Sequence, residues 1–252
     1  MGFVRRVGYR RPNYGVFLSP RPKNSRIIRR FWPHHTWEGF YRFDGKLESG
    51  FRHNDFHVYF QNGSSVGSAF NQNYEQLFKP FEIHPGVVLP VGQYSFNNWS
   101  LYGDTDQSAR LYATANYAWG SFYSGKIQTT TLGGGLRSGY KYLVSARYIR
   151  NDVALPVGQF ATNLAVLQFT YSFTPKNYVQ SLIQYNSASH QVGMNIRLAM
   201  IRLANTGLFV VYNSRFDTLG LDSHDLTGTL PTPYRRTLNR ALLVKYTYLF
   251  DF

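Results

Sequence analysis

Leu238-Asn-Arg-Ala-Leu-Leu-Val-Lys-Tyr-Thr-Tyr-Leu-Phe-Asp-Phe252 alternates almost without a break. Leu238, Arg240, Leu242, Val244, Tyr246, Tyr248, Phe250 and Phe252 fall on one side of an extended chain. Asn239, Ala241, Leu243, Lys245, Thr247, Leu249 and Asp251 fall on the other. A strand repeats its side-chain direction every two residues, so this stretch has one apolar face and one mostly polar face. Soluble sheets rarely end on four aromatics at alternate positions. The outward face of a transmembrane β-barrel strand does, because lipid meets its centre and aromatics sit at the interfaces.

Composition agrees with that reading. The chain of 252 residues has 20 Tyr, 20 Phe, 4 Trp, no Cys and only 16% charged residues. Its mean hydropathy is negative. No run of eighteen apolar residues occurs, which excludes a helical membrane span. Barrel strands escape such a test because every second residue is polar. The lack of cysteine leaves no disulfide framework.

The net charge is +14. Arg5, Arg6, Arg10, Arg11, Arg21, Lys23, Arg26, Arg29 and Arg30 all precede the first acid, Glu38. No nucleic-acid motif accompanies them, so a solvated basic segment or a basic lumen wall is expected, and no nucleic acid as partner. Met1-Gly-Phe-Val-Arg-Arg6 is not an apolar stretch with a cleavage site, so no export signal is read here. A mature form or the C-terminal part of a larger protein is expected.

Residues 1–24 are rich in Arg, Pro and Gly without a period, and read as a basic irregular segment. From 25 to 252 the chain becomes short alternating runs. Asp44-Gly45, Asn54-Asp55 and Asn62-Gly63 are hairpin signals. Strands are expected at Thr36–Phe43, Lys46–His53, Phe56–Gln61, Tyr94–Gly103, Ser108–Ala118, Ser121–Leu132, Tyr140–Arg150, Phe160–Phe173, Tyr178–Ser187, Val192–Leu203, Gly207–Phe216 and Leu238–Phe252. Leu89-Pro-Val-Gly-Gln-Tyr94 recurs as Leu155-Pro-Val-Gly-Gln-Phe160, with four strands between the copies. An even count puts both copies on one rim. With the C-terminus in the periplasm, both fall on the external rim, Thr174–Asn177 and Ala204–Thr206 become periplasmic turns, and Asp217–Thr237 becomes a long external loop. Edge strands cannot stay unpaired in lipid, so a barrel and not an open sheet is expected. The predicted class is an all-β, antiparallel transmembrane β-barrel of roughly 12 to 14 strands, or an incomplete C-terminal part of a larger one.

At this point the residues resemble a family. Asn73-Tyr-Glu-Gln-Leu-Phe-Lys-Pro-Phe-Glu-Ile83 with Leu89-Pro-Val-Gly-Gln-Tyr94 is similar to the C-terminal part of the domain of unknown function 5916 family. So are Gln180-Ser-Leu-Ile-Gln-Tyr-Asn186, Asn195-Ile-Arg-Leu198 and Phe209-Val-Val-Tyr-Asn213. The resemblance runs from about residue 20 to the end. Members are larger chains with a family-9-like carbohydrate-binding domain in front of an outer-membrane barrel. The resemblance implies the barrel portion of such a protein and carries over no catalytic residue. The terminal strand also resembles the signal read by the outer-membrane barrel assembly machinery. Tyr246, Tyr248, Phe250 and Phe252 fit it as membrane anchor and assembly signal, while the usual glycine is replaced near Tyr246 and Thr247.

Few constellations carry chemistry. In His53-Asn-Asp55-Phe-His57 the two histidines lie about 13 Å apart along an unbroken strand, too far to share one ion, so no metal is assigned. If Asn54-Asp55 were a turn, all three would converge. Glycoside hydrolysis needs two carboxylates about 5 to 9.5 Å apart. Asp104 with Asp106, and Asp222 with Asp225, read as turn-forming acids. Ser187-Ala-Ser-His190 reads as a tight turn. No nucleophile elbow, phosphate loop or dinucleotide fingerprint is present, and no cofactor or catalytic residue is assigned. Lys126, Arg147, Lys245, Gln168 and Gln184 are the lumen or anion-path candidates. Tyr234, Arg235 and Arg236 are the external-loop binding candidates.

These features make a non-enzymatic, porin-like outer-membrane barrel of a Gram-negative bacterium the first expectation. It would pass or bind a polar solute, anionic or saccharide. Expected partners are outer-membrane lipid and lipopolysaccharide, the assembly machinery, and a glycan or anion. The oligomeric state is open. Two alternatives stand beside it: an outer-membrane hydrolase acting on glycans or lipids, and a soluble β-sandwich carbohydrate-binding protein.

Overall fold

The computed structural model describes residues 7–203, 205–218 and 236–250, with only the backbone of Arg236. Alternating residues and glycine-bearing turns give strands throughout. These are β1 (Tyr9–Arg10), β2 (Asn13–Phe17), β3 (Ile28–Arg42), β4 (Leu47–Phe60), β5 (Ser65–Leu77), β6 (Phe81–His84), β7 (Val87–Leu89) and β8 (Gly92–Asp104) in the first part of the chain. They continue as β9 (Leu111–Phe122), β10 (Gly125–Ser138), β11 (Tyr142–Leu155), β12 (Gly158–Thr174), β13 (Asn177–Asn186), β14 (Gln191–Leu203), β15 (Thr206–Asp217) and β16 (Arg236–Thr247). No helix occurs among the described residues.

The architecture is all-β, with a large antiparallel sheet of 14 strands. Its order is β1-β3-β4-β5-β8-β9-β10-β11-β12-β13-β14-β15-β16, with β2 also on β3. No pairing among the described residues joins this order into a ring. β6 and β7 form a separate two-stranded sheet.

Turn chemistry sets the hairpins. Asp44-Gly45 closes β3–β4, with Gly45 at φ 84° and its N–H donating to the Arg42 carbonyl at 3.0 Å. Asn62-Gly63 closes β4–β5, with Gly63 at φ 85°. Both positions need the left-handed conformation that glycine adopts without steric cost. Asn54-Asp55 is not a turn: both residues lie inside β4. Their side chains bond across strands instead of to their own backbone. Asn54 Oδ1 meets His35 Nδ1 at 2.7 Å, for example.

Other boundaries also move. Tyr9–Arg10 and Asn13–Phe17, inside the segment expected to be irregular, pair with β3. Runs of two and five residues are too short to show a period. Tyr123, at φ 48°, turns the chain between β9 and β10, so these strands end and begin a few residues later than the alternation suggested. β16 stops at Thr247, short of the expected continuation, and Tyr248 and Phe250 lie beyond it.

The chain divides into two compact units: residues 1–107, 114–131 and 151–161, and residues 108–113, 132–150 and 162–252. The first holds the buried apolar cluster, Val87, Leu89, Val153 and Leu155, flanked by Leu77, Ile83, Phe122, Tyr123, Ile127 and Phe160. Leu89 and Leu155 come from the two copies of the Leu-Pro-Val-Gly-Gln repeat, so the repeated segments pack on each other. Each leucine ends a strand, Pro-Val turns the chain, and the glycine starts the next. Gly158 leaves room for Val87, whose Cγ2 would lie 2.9 Å from an added Cβ.

Both units present sheet with two unlike faces. In the first, the register sets Trp32 and His34 of β3 beside His57 and Asp55 of β4, then Gly67 and Ala69 of β5, then Tyr102 and Ser100 of β8. The opposite face carries Phe31, Phe56, Val66, Phe70, Trp99 and Leu101. In the second unit Val210, Leu198 and Val179 line up with Val244 on one face. Asn213, Asn195 and Leu182 line up with Ala241 on the other.

Candidate functional site: the polar face of the sheet

The first unit's polar face is organised around Asp55, whose side chain is 6% exposed. His53, Asp55 and His57 share one side of β4 because they are two residues apart. His53 Nε2 lies 3.3 Å from Asp55 Oδ2, and His57 Nε2 lies 3.1 Å from Asp55 Oδ1. The 13 Å between the two histidine positions is thus bridged by the short carboxylate between them, with both long rings leaning toward it. Tyr102 donates its hydroxyl hydrogen to Asp55 Oδ1 and sits 3.1 Å from His57 Nε2. It reaches across β5 because Gly67 has no side chain: an added Cβ would lie 2.6 Å from the Tyr102 Cζ and Oη.

β3 supplies His34, whose Nε2 is 3.2 Å from His53 Nε2. Its ring stacks on His57 at 5.7 Å and 15°, and on Phe17 of β2 at 5.4 Å and 16°. β5 supplies Asn71, whose Oδ1 is 2.6 Å from His53 Nδ1. Asn71 Nδ2 donates to Asn98 Oδ1 at 2.9 Å, so its oxygen is left to accept from His53. One donor atom each from His34, His53 and Asp55 lies within 4.8 Å of the others. The sequence motif named His53, Asp55 and His57. It missed His34, Asn71 and Tyr102, which arrive from three other strands. The His34-His35 doublet was the visible signal for the first.

The second unit's polar face forms a groove of about 370 Å³ lined by Gln184, Gly193, Asn195, Asn213, Arg215 and Asn239, among others. Asn195 Nδ2 donates to Asn213 Oδ1 at 2.5 Å. Gly193 has open space where a Cβ would stand, which keeps the groove floor low. Arg197 lies on the same face, its guanidinium 4.8 Å from the Phe209 ring centre. Within the described strands of this unit the acid is Asp217, at the end of β15.

The lumen candidates separate. Gln168 and Gln184 lie on the face of Asn195 and Asn213, and so does Lys245, opposite Phe209. Ser145 Oγ donates to Gln168 Oε1 at 3.3 Å, which sets Arg147, two residues on, to that face as well. Lys126 belongs to the first unit and alternates with Ile127. Ile127 packs on the apolar cluster, so Lys126 turns the other way. Tyr246 extends the apolar face of β16, and Tyr248 meets Phe250 edge-on at 4.7 Å. Tyr234, Arg235, Phe252, Asp222 and Asp225 lie outside the described residues, as does the side chain of Arg236. Asp104 ends β8 and Asp106 lies in the turn after it. His190, at φ 49°, closes the tight β13–β14 turn.

Comparison of the chain with protein-family models, with curated proteins and with solved structures returns no match.

Proposed function

We propose that the chain is the C-terminal barrel portion of an outer-membrane protein, of the domain of unknown function 5916 type, that passes or binds a polar anionic solute. The carrying observation is the two-faced sheet. Leu242, Val244 and Tyr246 are 68, 65 and 67% exposed on one face. The opposite face carries Arg147, Gln168, Gln184, Arg197, Arg215 and Lys245. Apolar side chains this exposed are costly in water and suited to lipid, while amides and guanidinium groups need a wet lumen. Entry into hydrocarbon requires partners for the edge groups of β1, β2 and β16. Among the described strands of this unit the acid is Asp217, and fixed positive charge of this excess attracts anions.

The test is electrophoresis of the detergent-refolded chain with and without boiling, followed by bilayer conductance. A compact unboiled band and currents that favour chloride over potassium are expected. Identical migration of both samples, together with release of the native protein from membranes by salt alone, would remove the reading.

A further inference from the structure

On the first unit's polar face, among residues the proposed function does not use, the His34–His53–Asp55 cluster has the chemistry of a cation site. We infer that it binds one divalent transition-metal ion, Zn²⁺ by ligand type, through His34, His53 and a carboxylate oxygen of Asp55. The inference rests on three features of the cluster. The first is spacing. Around a tetrahedral ion with Zn–N and Zn–O bonds of ~2.0–2.2 Å, neighbouring ligand atoms stand ~3.3–3.6 Å apart. His53 Nε2 is 3.2 Å from His34 Nε2 and 3.3 Å from Asp55 Oδ2, two such edges sharing a corner.

The second is the tautomer of His53. Asn71 Oδ1 accepts from His53 Nδ1, so in the neutral ring Nε2 carries a lone pair aimed at the other two groups. A ligating histidine whose other nitrogen donates to a fixed oxygen is the usual outer-sphere arrangement of a metal site. The third is charge. The Asp55 side chain is 6% exposed, and a carboxylate this buried is stabilised by a cation held against its Oδ2. The buried Nδ1 of His34 has no hydrogen-bond partner. The ring nitrogen that His34 turns to the cluster is thus Nε2.

His57 and Tyr102 act as positioning residues. They hold Asp55 Oδ1, which turns Oδ2 toward His53. Together the three ligands join β3 to β4, and solvent supplies the fourth. Imidazole with one carboxylate suits Zn²⁺, Co²⁺ and Ni²⁺ over the all-oxygen preferences of Mg²⁺ and Ca²⁺.

The full chain, refolded in detergent and treated with chelator, is titrated with ZnCl₂ alone and separately with CoCl₂. One Zn²⁺ per chain and an intense visible Co²⁺ spectrum of tetrahedral type are expected. His53→Ala and Asp55→Asn are expected to weaken Zn²⁺ at least 100-fold. His35→Ala, on the opposite face of β3, should leave it unchanged. Absence of stoichiometric Zn²⁺ binding by the wild-type chain overturns the proposal, as does equal affinity in His53→Ala and His35→Ala. The wild-type stoichiometry and Co²⁺ spectrum decide the matter even where a variant fails to fold.

Discussion

Gly67 is small so that Tyr102 can be large. The phenol crosses the glycine to reach Asp55, and any Cβ at residue 67 collides with it. Gly67→Val is expected to cost ~1–3 kcal/mol through this overpacking. In a Tyr102→Ala background the same substitution should cost less, since the clash is gone. Urea unfolding of the refolded chain in vesicles measures both. Asn71→Leu tests the other end of the network. It leaves His53 Nδ1 without its acceptor and is expected to cost ~1–3 kcal/mol in the same assay. His53 and Asp55 were visible in the sequence because they sit two apart. Asn71 and Tyr102 were not, because nothing in one strand states which residues the next will place beside it.

At the scale of elements, the β6–β7 hairpin and the repeat form one packing unit. Leu89 is fully buried and Leu155 nearly so, in the same cluster. Leu89→Ala is expected to cost ~2–5 kcal/mol, and Leu155→Ala a similar amount. The double variant should cost less than the sum, because the two leucines share neighbours. Additive costs would show that the repeated segments do not support each other. β16 makes a second prediction. Leu242 faces the apolar side and Leu243 the polar side, by their registers with Tyr212 and Val211. Leu242→Arg is expected to lose ~2–4 kcal/mol in folding into lipid vesicles, and Leu243→Arg much less. Equal costs would contradict the assignment of faces. Alternation alone foretold this element's two faces, since period two is a local property. It did not foretell where β16 stops, or that β4 continues through Asn54 and Asp55. A turn dipeptide yields to a strand when its side chains find better partners across the sheet.

At the scale of the molecule, charge governs the proposed function. Reversing Arg147, Arg197 and Arg215 together to Glu is expected to turn anion preference into cation preference in bilayer recordings. The wild-type preference should be largest at low ionic strength and shrink toward 1 M salt, where the screening length falls to about 3 Å. A preference indifferent to both changes would mean that these residues do not line the path.

The sequence alone determined the all-β class, most strand positions, two of the glycine turns and the polar and apolar sides of the later strands. All of these are local consequences of alternation and of backbone conformations that glycine tolerates. Only the tertiary structure decided which residues from different strands meet. It brought Leu89 against Leu155, sent Lys126 away from the apolar cluster, and set His34, Asn71 and Tyr102 around His53 and Asp55. Those meetings depend on inter-strand register, and register is a property of pairs of strands that no single stretch of chain contains.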